Sequence, residues 1–396
     1  MIRAAQTFIS FSALFAQATG QNLLHAHVFK RADRHAQMAP PHSARAINLA
    51  RWDGSDWLAE EWRALEAHAR WPTQSHAFAA ALTPLIEGQR RKLLGLRAGG
   101  TISALLPLCR DAGAIGRWRI AGSRELFEPG DLLAARPDDA APIADALARL
   151  RKPLSFDRIS ADSPLLPALR RAMHRRGLLS VRPAMPCPLI VLDESWRDPE
   201  SHFNSGRRSD FRRAARRAEA LGPVTFETLA PGLQDFDALF DEAIGVEAKS
   251  WKLEAGSAIA VDRRRETFFR RFFREAAAEG RFRLSFMRIG GEAVAMQLAQ
   301  VSDDRYWLFK IGHDERFGKC SPGTLLMLHT LRWAAGEGLR SYELLGEAEG
   351  WITRFWTQEQ RACVRVRTYP ARVSGALALA ADGAHWVWQR LVRRGA

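Results

Sequence analysis

Cysteine is sparse in this 396-residue chain. The four, Cys109, Cys187, Cys320 and Cys363, lie far apart with no CxxC pair, which argues against a zinc site and against a disulfide framework. A reducing cytoplasm is the simplest setting. Long apolar runs are also missing: nothing approaches the roughly 20 residues needed to span a bilayer. Acidic residues are the minority, 44 against 58 Lys and Arg, so the chain carries a net charge of +14 and suits an anionic partner such as a nucleotide cofactor, a polyanion or a membrane surface. Peripheral membrane contact stays open.

What is present is enough for two cores. The length exceeds the usual single-core limit, and 47% of the residues are hydrophobic. Residues 1–47 read as an unstructured extension, with Met38 a plausible true start, although Phe8 to Phe15 followed by Ala16-Gln-Ala18 has the look of a signal peptide. Residues 371–396 read as a basic C-terminal helix or tail.

The chain resembles itself. Residues 92–108 and 283–299 each read as a β-hairpin with Gly-Gly at the turn, where positive φ is required, and an alanine four residues past the second glycine. A further strand follows each, at 116–122 and 304–311. Two α/β units are implied, at 48–192 and 193–370, with the boundary in the proline-rich and polar stretches Arg182 to Pro188 and Asp193 to Pro199, read as a linker. In the second unit the expected order is helix 205–221, strand 223–229, helices 233–249 and 262–279, hairpin 282–300, strand 304–311, helix 322–337 and strand 340–345.

The segment from Leu308 to Met327 is the most informative. It reads as strand, polar loop and helix start: Ser321 as N-cap, Pro322 at the first helical position and Gly323 without a side chain to block a ligand. Such a helix end favours an anion, beside which Lys319 adds a point charge and Thr324 a further amide.

In this order, Arg207 to Gly222, Val246 to Lys252, Leu308 to Glu315, Ser321 to Leu326 and Tyr342 to Gly346 resemble the GNAT acyltransferase superfamily, and the two-unit chain resembles its CelD/BcsL-like branch, named for cellulose biosynthesis. The first unit resembles the degenerate first half of such proteins and of the Fem-type peptidoglycan aminoacyl ligases. The resemblance implies tandem GNAT-like domains, α/β with mostly antiparallel sheets flanked by helices, and acetyl-CoA as donor. Two departures stand out. The donor loop offers a single glycine at the helix start, and no tyrosine general acid follows Gly346, where Trp351 and Trp356 stand instead.

Acyl transfer requires a base for the nucleophile, donors for the carbonyl oxygen and an acid for the leaving thiolate. Glu247, Asp314, Glu315 and Glu347 are the carboxylate candidates and His313 a candidate acid. Lys249, Trp251 and Lys310 are candidates for the acceptor site. No metal is expected. The expected activity is acetyl transfer to a hydroxyl or amine of a sugar or polysaccharide precursor. The alternatives are a Fem-type transferase using aminoacyl-tRNA, held by the arginines of 207–217, and a non-catalytic polyanion-binding protein. Nucleic acid other than tRNA is disfavoured because aromatics do not alternate with those arginines. Acidic residues Glu125, Glu128 and Asp131 would repel a pyrophosphate, so the first unit is expected to bind no cofactor and to form one wall of the acceptor cleft.

Overall fold

The computed structural model describes residues 46–49, 58–250, 259, 262–346 and 350–394; the expectations for 1–45, Trp251 and Glu347 lie outside them. In chain order the elements are β1 (Ala46–Leu49), α1 (Ala59–Leu65), α2 (His76–Ala81), β2 (Arg90–Ala98), β3 (Thr101–Arg110), β4 (Trp118–Ile120), β5 (Leu133–Ala134), α3 (Ala140–Arg149), β6 (Ser155–Ser160), α4 (Leu165–Met173) and β7 (Gly177–Val191). They continue with α5 (Ser205–Glu219), β8 (Val224–Leu229), α6 (Phe236–Ala248), α7 (Arg263–Ala278), β9 (Phe282–Ile289), β10 (Glu292–Ser302), β11 (Arg305–His313), α8 (Pro322–Gly336), β12 (Ser341–Leu344), α9 (Gly350–Phe355), β13 (Gln360–Pro370) and α10 (Val373–Arg394). The expected α/β class with mixed, mostly antiparallel sheets is present. One sheet runs β1-β2-β3-β4 with β5 also on β3, and an eight-stranded sheet runs β6-β13-β7-β12-β11-β10-β9-β8.

The two hairpins match in more than their turns. Gly99 and Gly100, and likewise Gly290 and Gly291, all have positive φ, as a two-residue hairpin of this type demands. Each hairpin then carries one extra residue in its second strand, at the same offset. Arg97 pairs Ile102 and Leu96 pairs Ala104, leaving Ser103 over; Arg288 pairs Ala293 and Met287 pairs Ala295, leaving Val294 over.

The proline-rich stretch 182–188 is not a linker but the middle of β7. Residues 177–188 of that strand pair with β13, while only Leu189 to Val191 pair with β12. One edge of β7 is therefore without a ladder where Pro183, Pro186 and Pro188 sit, and a missing N–H is harmless there. The pairing also interlocks the halves. The last strand of the first half, β7, lies beside β12 of the second, and β13 lies beside β6 of the first. Residues 44–376 accordingly form one compact unit.

A shared core reinforces this exchange. Phe268, Phe269, Phe272 and Phe273 form the buried stripe of α7 that their spacing predicts. Phe78 of α2 meets two of them edge to face, at 5.1 Å from Phe268 and 5.5 Å from Phe272. Outward, Arg270 and Arg274 of α7 pair with Asp237. Among the described residues no helix is long and apolar enough to cross a membrane.

Candidate active site

Two parallel neighbours part company at the centre of the large sheet. β11 and β12 pair from Arg305 with Ser341 to Leu308 with Leu344, after which β11 runs on to His313 without β12. Two features open the gap. On its other side β11 bulges: Ala299 pairs Leu308 and Leu298 pairs Lys310, so Phe309 is the extra residue, and a bulge bends and twists its strand. Beyond β12, Arg158 of β6 takes up the chain, donating from Nη2 to the carbonyls of Leu345 (3.2 Å) and Gly346 (3.1 Å).

A cavity of about 770 Å³ occupies the opening. Of the residues proposed from sequence, Glu247, Lys310, His313, Ser321, Gly323 and Thr324 all line it. Lys249, Asp314, Glu315 and Lys319 do not. The lining also includes Gln297 and Trp356 and, from the first half that was expected to supply a wall, Leu126, Phe127 and Glu128, none of them named as a site residue from sequence.

Ser321 does not cap α8 with its side chain. It holds a left-handed conformation, φ 47° and ψ 51°, and its hydroxyl accepts no bond from the helix; a side-chain cap requires the extended region instead. Its carbonyl accepts from Thr324 and Leu325. With Pro322 lacking an N–H, the amide of Gly323 is left without an acceptor among the described residues, at the positive end of a 15-residue helix. A Cβ at Gly323 would come no nearer than 3.8 Å to any neighbour, the nearest being His313 Nδ1. The helix end therefore has room beside it for a phosphate. Lys319 is exposed at its edge, and Arg217 of α5 steadies the loop by donating to the Lys319 carbonyl at 3.1 Å.

Asp314 is committed elsewhere. It caps the short helical turn at 315–320 by accepting from the Arg316 amide, and Arg316 also grips its carboxylate from Nε and Nη2. Burial works to raise its pKa, but those bonds, with the Arg316 and Lys249 charges, hold it below the usual carboxylate range. That makes it a poor base and a good clamp. Lys249 spans Glu292 at 3.3 Å and Asp314 at 3.7 Å, so it belongs to the same clamp.

Glu247 is fully buried at the end of α6, and its Oε2 accepts the Ile259 amide at 2.8 Å. It reaches β11 because residue 312 is glycine: a Cβ there would lie 2.9 Å from the Glu247 Cα. Gln297, at the cavity floor, accepts from the Tyr342 hydroxyl at 2.9 Å. All three tyrosines are buried and none lines the cavity; burial drives Tyr342 well above its ordinary pKa.

Glu128 is the residue that sequence reasoning missed. It stands in the acidic loop 125–131, where Glu125 is held by Arg119 at 2.6 Å and one oxygen of Asp131 accepts from Ser163 at 2.6 Å, the other having no partner among the described residues. Glu128 is itself buried at 5% exposure, and its Oε2 has no hydrogen-bond partner among the described residues. Burial raises its pKa, countered in part by Lys310 and Arg158. Arg158 fixes the loop as well, donating to the Phe127 carbonyl at 2.6 Å with its guanidinium 5.2 Å from the Phe127 ring centre. Among the described residues no cluster of ligands able to hold a metal ion occurs.

No curated protein matches the chain. Among solved structures it is similar to the C-terminal domain of a protein described as a lysylphosphatidylglycerol synthetase from Agrobacterium fabrum, with 13% identity, TM-score 0.50, and 82% of this chain and 95% of that one covered. FemX aligns at 11% identity and TM-score 0.50 over 78% of this chain and 95% of its own. A conserved protein of unknown function from Bacteroides thetaiotaomicron aligns at 8% and TM-score 0.51, over 79% and 98%. Identities this low show a common fold, one that spans both halves. The sequence match is narrower and more telling: residues 205–352 fit the acetyltransferase (GNAT) domain family. These residues hold the parted strands and the helix end just described, so they are a GNAT acetyltransferase domain, and it is this domain that makes the chain an acyltransferase.

Proposed function

We propose that the chain transfers an acyl group, acetyl from acetyl-CoA, to a hydroxyl or amine of a sugar or cell-envelope polysaccharide precursor in the cytoplasm. The observation that carries this reading is the convergence, on one cavity, of the parted β11 and β12 with the uncapped start of α8. A thioester donor fits both. Its pyrophosphate accepts from the Gly323 amide beside Ser321, Thr324 and Lys319, and its acyl carbonyl lies against the edge of β11 beyond Leu308. His313, next to Gly323, is placed to return a proton to the leaving thiolate. Glu247, which accepts the Ile259 amide, shapes the acceptor end, to which Trp251 and Glu347 are assigned by sequence position.

A second reading keeps the fold and changes the donor to aminoacyl-tRNA. Arg208, Arg212 and Arg216 of α5 carry no ion pair among the described residues, beside the loop that Arg217 supports. Thermal unfolding with acetyl-CoA, desulfo-CoA, tRNA and nucleotide sugars separates the two. A ligand at a hundred times its Kd stabilises by about 2.7 kcal/mol. Stabilisation by both thioester and desulfo-CoA supports the first reading; stabilisation by tRNA alone, lost steeply with salt, would replace it with the second.

A further inference from the structure

The charged side chains lining the cavity run against the charge of the whole molecule. In a chain of net charge +14, the lining carries two carboxylates, Glu128 and Glu247, against one ammonium, Lys310. Lys310 is partly occupied, its Nζ standing 5.0 Å from the Phe269 ring centre. Glu247 spends one oxygen on Ile259. Glu128 makes no hydrogen bond among the described residues, although a buried polar atom without a partner costs about 1–3 kcal/mol. A structure retains such a group where something else fills the gap. The loop that carries it is held hard in place: Phe127 has a left-handed φ of 59°, and Arg158 pins its carbonyl.

We propose that Glu128 receives the nucleophilic primary amine of the acceptor and is the general base of the transfer. The inference rests on the thioester reading above and narrows its acceptor to an amine, such as that of an amino sugar. An ammonium satisfies the unpartnered oxygen and matches the carboxylate lining, which a neutral hydroxyl does less well. Glu128 takes one proton from the incoming ammonium. The freed lone pair forms the C–N bond at the acyl carbon as the C–S bond breaks. The departing thiolate collects the second proton from nitrogen, directly or by way of His313. Products are the amide and the free thiol, with no oxidant or reductant needed. Burial, which keeps Glu128 more basic than a surface carboxylate, suits it to the task.

Three measurements test the assignment. With acetyl-CoA as donor, glucosamine as amine probe and glucose as its hydroxyl counterpart, thiol release is followed from pH 5 to 9 for wild type and Glu128→Gln, with acetyl-CoA affinity taken by calorimetry. The expected variant binds acetyl-CoA within about twofold of wild type, loses turnover with glucosamine by about a hundredfold, and loses the rising limb of the pH profile. Glu128→Asp regains part of both. Turnover by Glu128→Gln within threefold of wild type, rising limb intact, overturns the proposal, as does preference for glucose. If acetyl-CoA binds neither protein, the donor reading fails by itself. The amine site is then decided by carbodiimide coupling of glucosamine to the wild-type protein: labelling at Glu128 supports it, and labelling confined to surface carboxylates overturns it.

Discussion

Two loops occupy the same place in the two halves of this protein, each following the third strand of a hairpin-plus-strand unit. In the second half, the loop at 314–324 leads from β11 into α8; in the first, the loop at 121–132 leads from β4 towards α3. Both hold one non-glycine residue in the left-handed region, Ser321 at φ 47° and Phe127 at φ 59°. Such a conformation is uncommon outside glycine and persists where its surroundings impose it. Their chemistry is opposite. The later loop ends in a helix start stripped of its caps, a place for an anion. The earlier loop is carboxylate-rich, pins two acids to partners and aims the third at the cavity. The two units share a backbone course and differ in the charge preference of this loop, so that in the function proposed here one copy takes the donor and the other the acceptor.

The sharpest way to break this pairing is at Arg158, which ties the acidic loop to the end of β12. Arg158→Met leaves the carbonyls of Phe127, Leu345 and Gly346 without their donor. Chemical denaturation is expected to show a loss of about 3 kcal/mol or more; a loss below about 1 kcal/mol would mean the acidic loop and the end of β12 are not coupled through it.

Asp131 tests the acidic loop by pH. Burial raises its carboxyl to about 7 against the bonds from Ser163 and Leu132. The folded state thus holds a proton that the unfolded chain releases near 3.9. Stability is undiminished below the lower value and falls as pH rises towards the upper one. Between pH 5 and 8 the loss is expected to be about 2 kcal/mol, and Asp131→Asn should flatten it in urea titrations. An unchanged slope in the variant would place the dependence elsewhere.

The smallest effect is expected in the donor loop. Because the Ser321 hydroxyl caps nothing, Ser321→Ala should cost under about 0.5 kcal/mol, where a working N-cap costs about 1 kcal/mol. A loss at the higher figure would show that the hydroxyl caps in solution.

Much of the second half was legible because its signals are local. The apolar spacing of 263–278 marks a helix, Gly290-Gly291 marks a turn, and Pro322 marks a helix start. The same locality explains the failures. Pro183, Pro186 and Pro188 read as a linker because proline is excluded from strands with ladders on both edges, and the open edge of β7 depends on where β12 happens to pair. Asp314 read as a base because the grip of Arg316 depends on side-chain conformation. Glu128 stayed hidden because the contact between its loop and the end of β12 is made by strand exchange between halves, through Arg158, and nothing within 125–131 announces it. The one clue was the presence of three carboxylates where its counterpart has a lysine.

The account rests on a donor held at the start of α8 in one half alone. Calorimetry of the full chain with acetyl-CoA tests this directly, for wild type and for Gly323→Val, whose added carbons enter space that only His313 borders. One site per chain is expected, weakened tenfold or more in a variant that unfolds as wild type does. Two equivalent sites, or an affinity unchanged by the substitution, would contradict it.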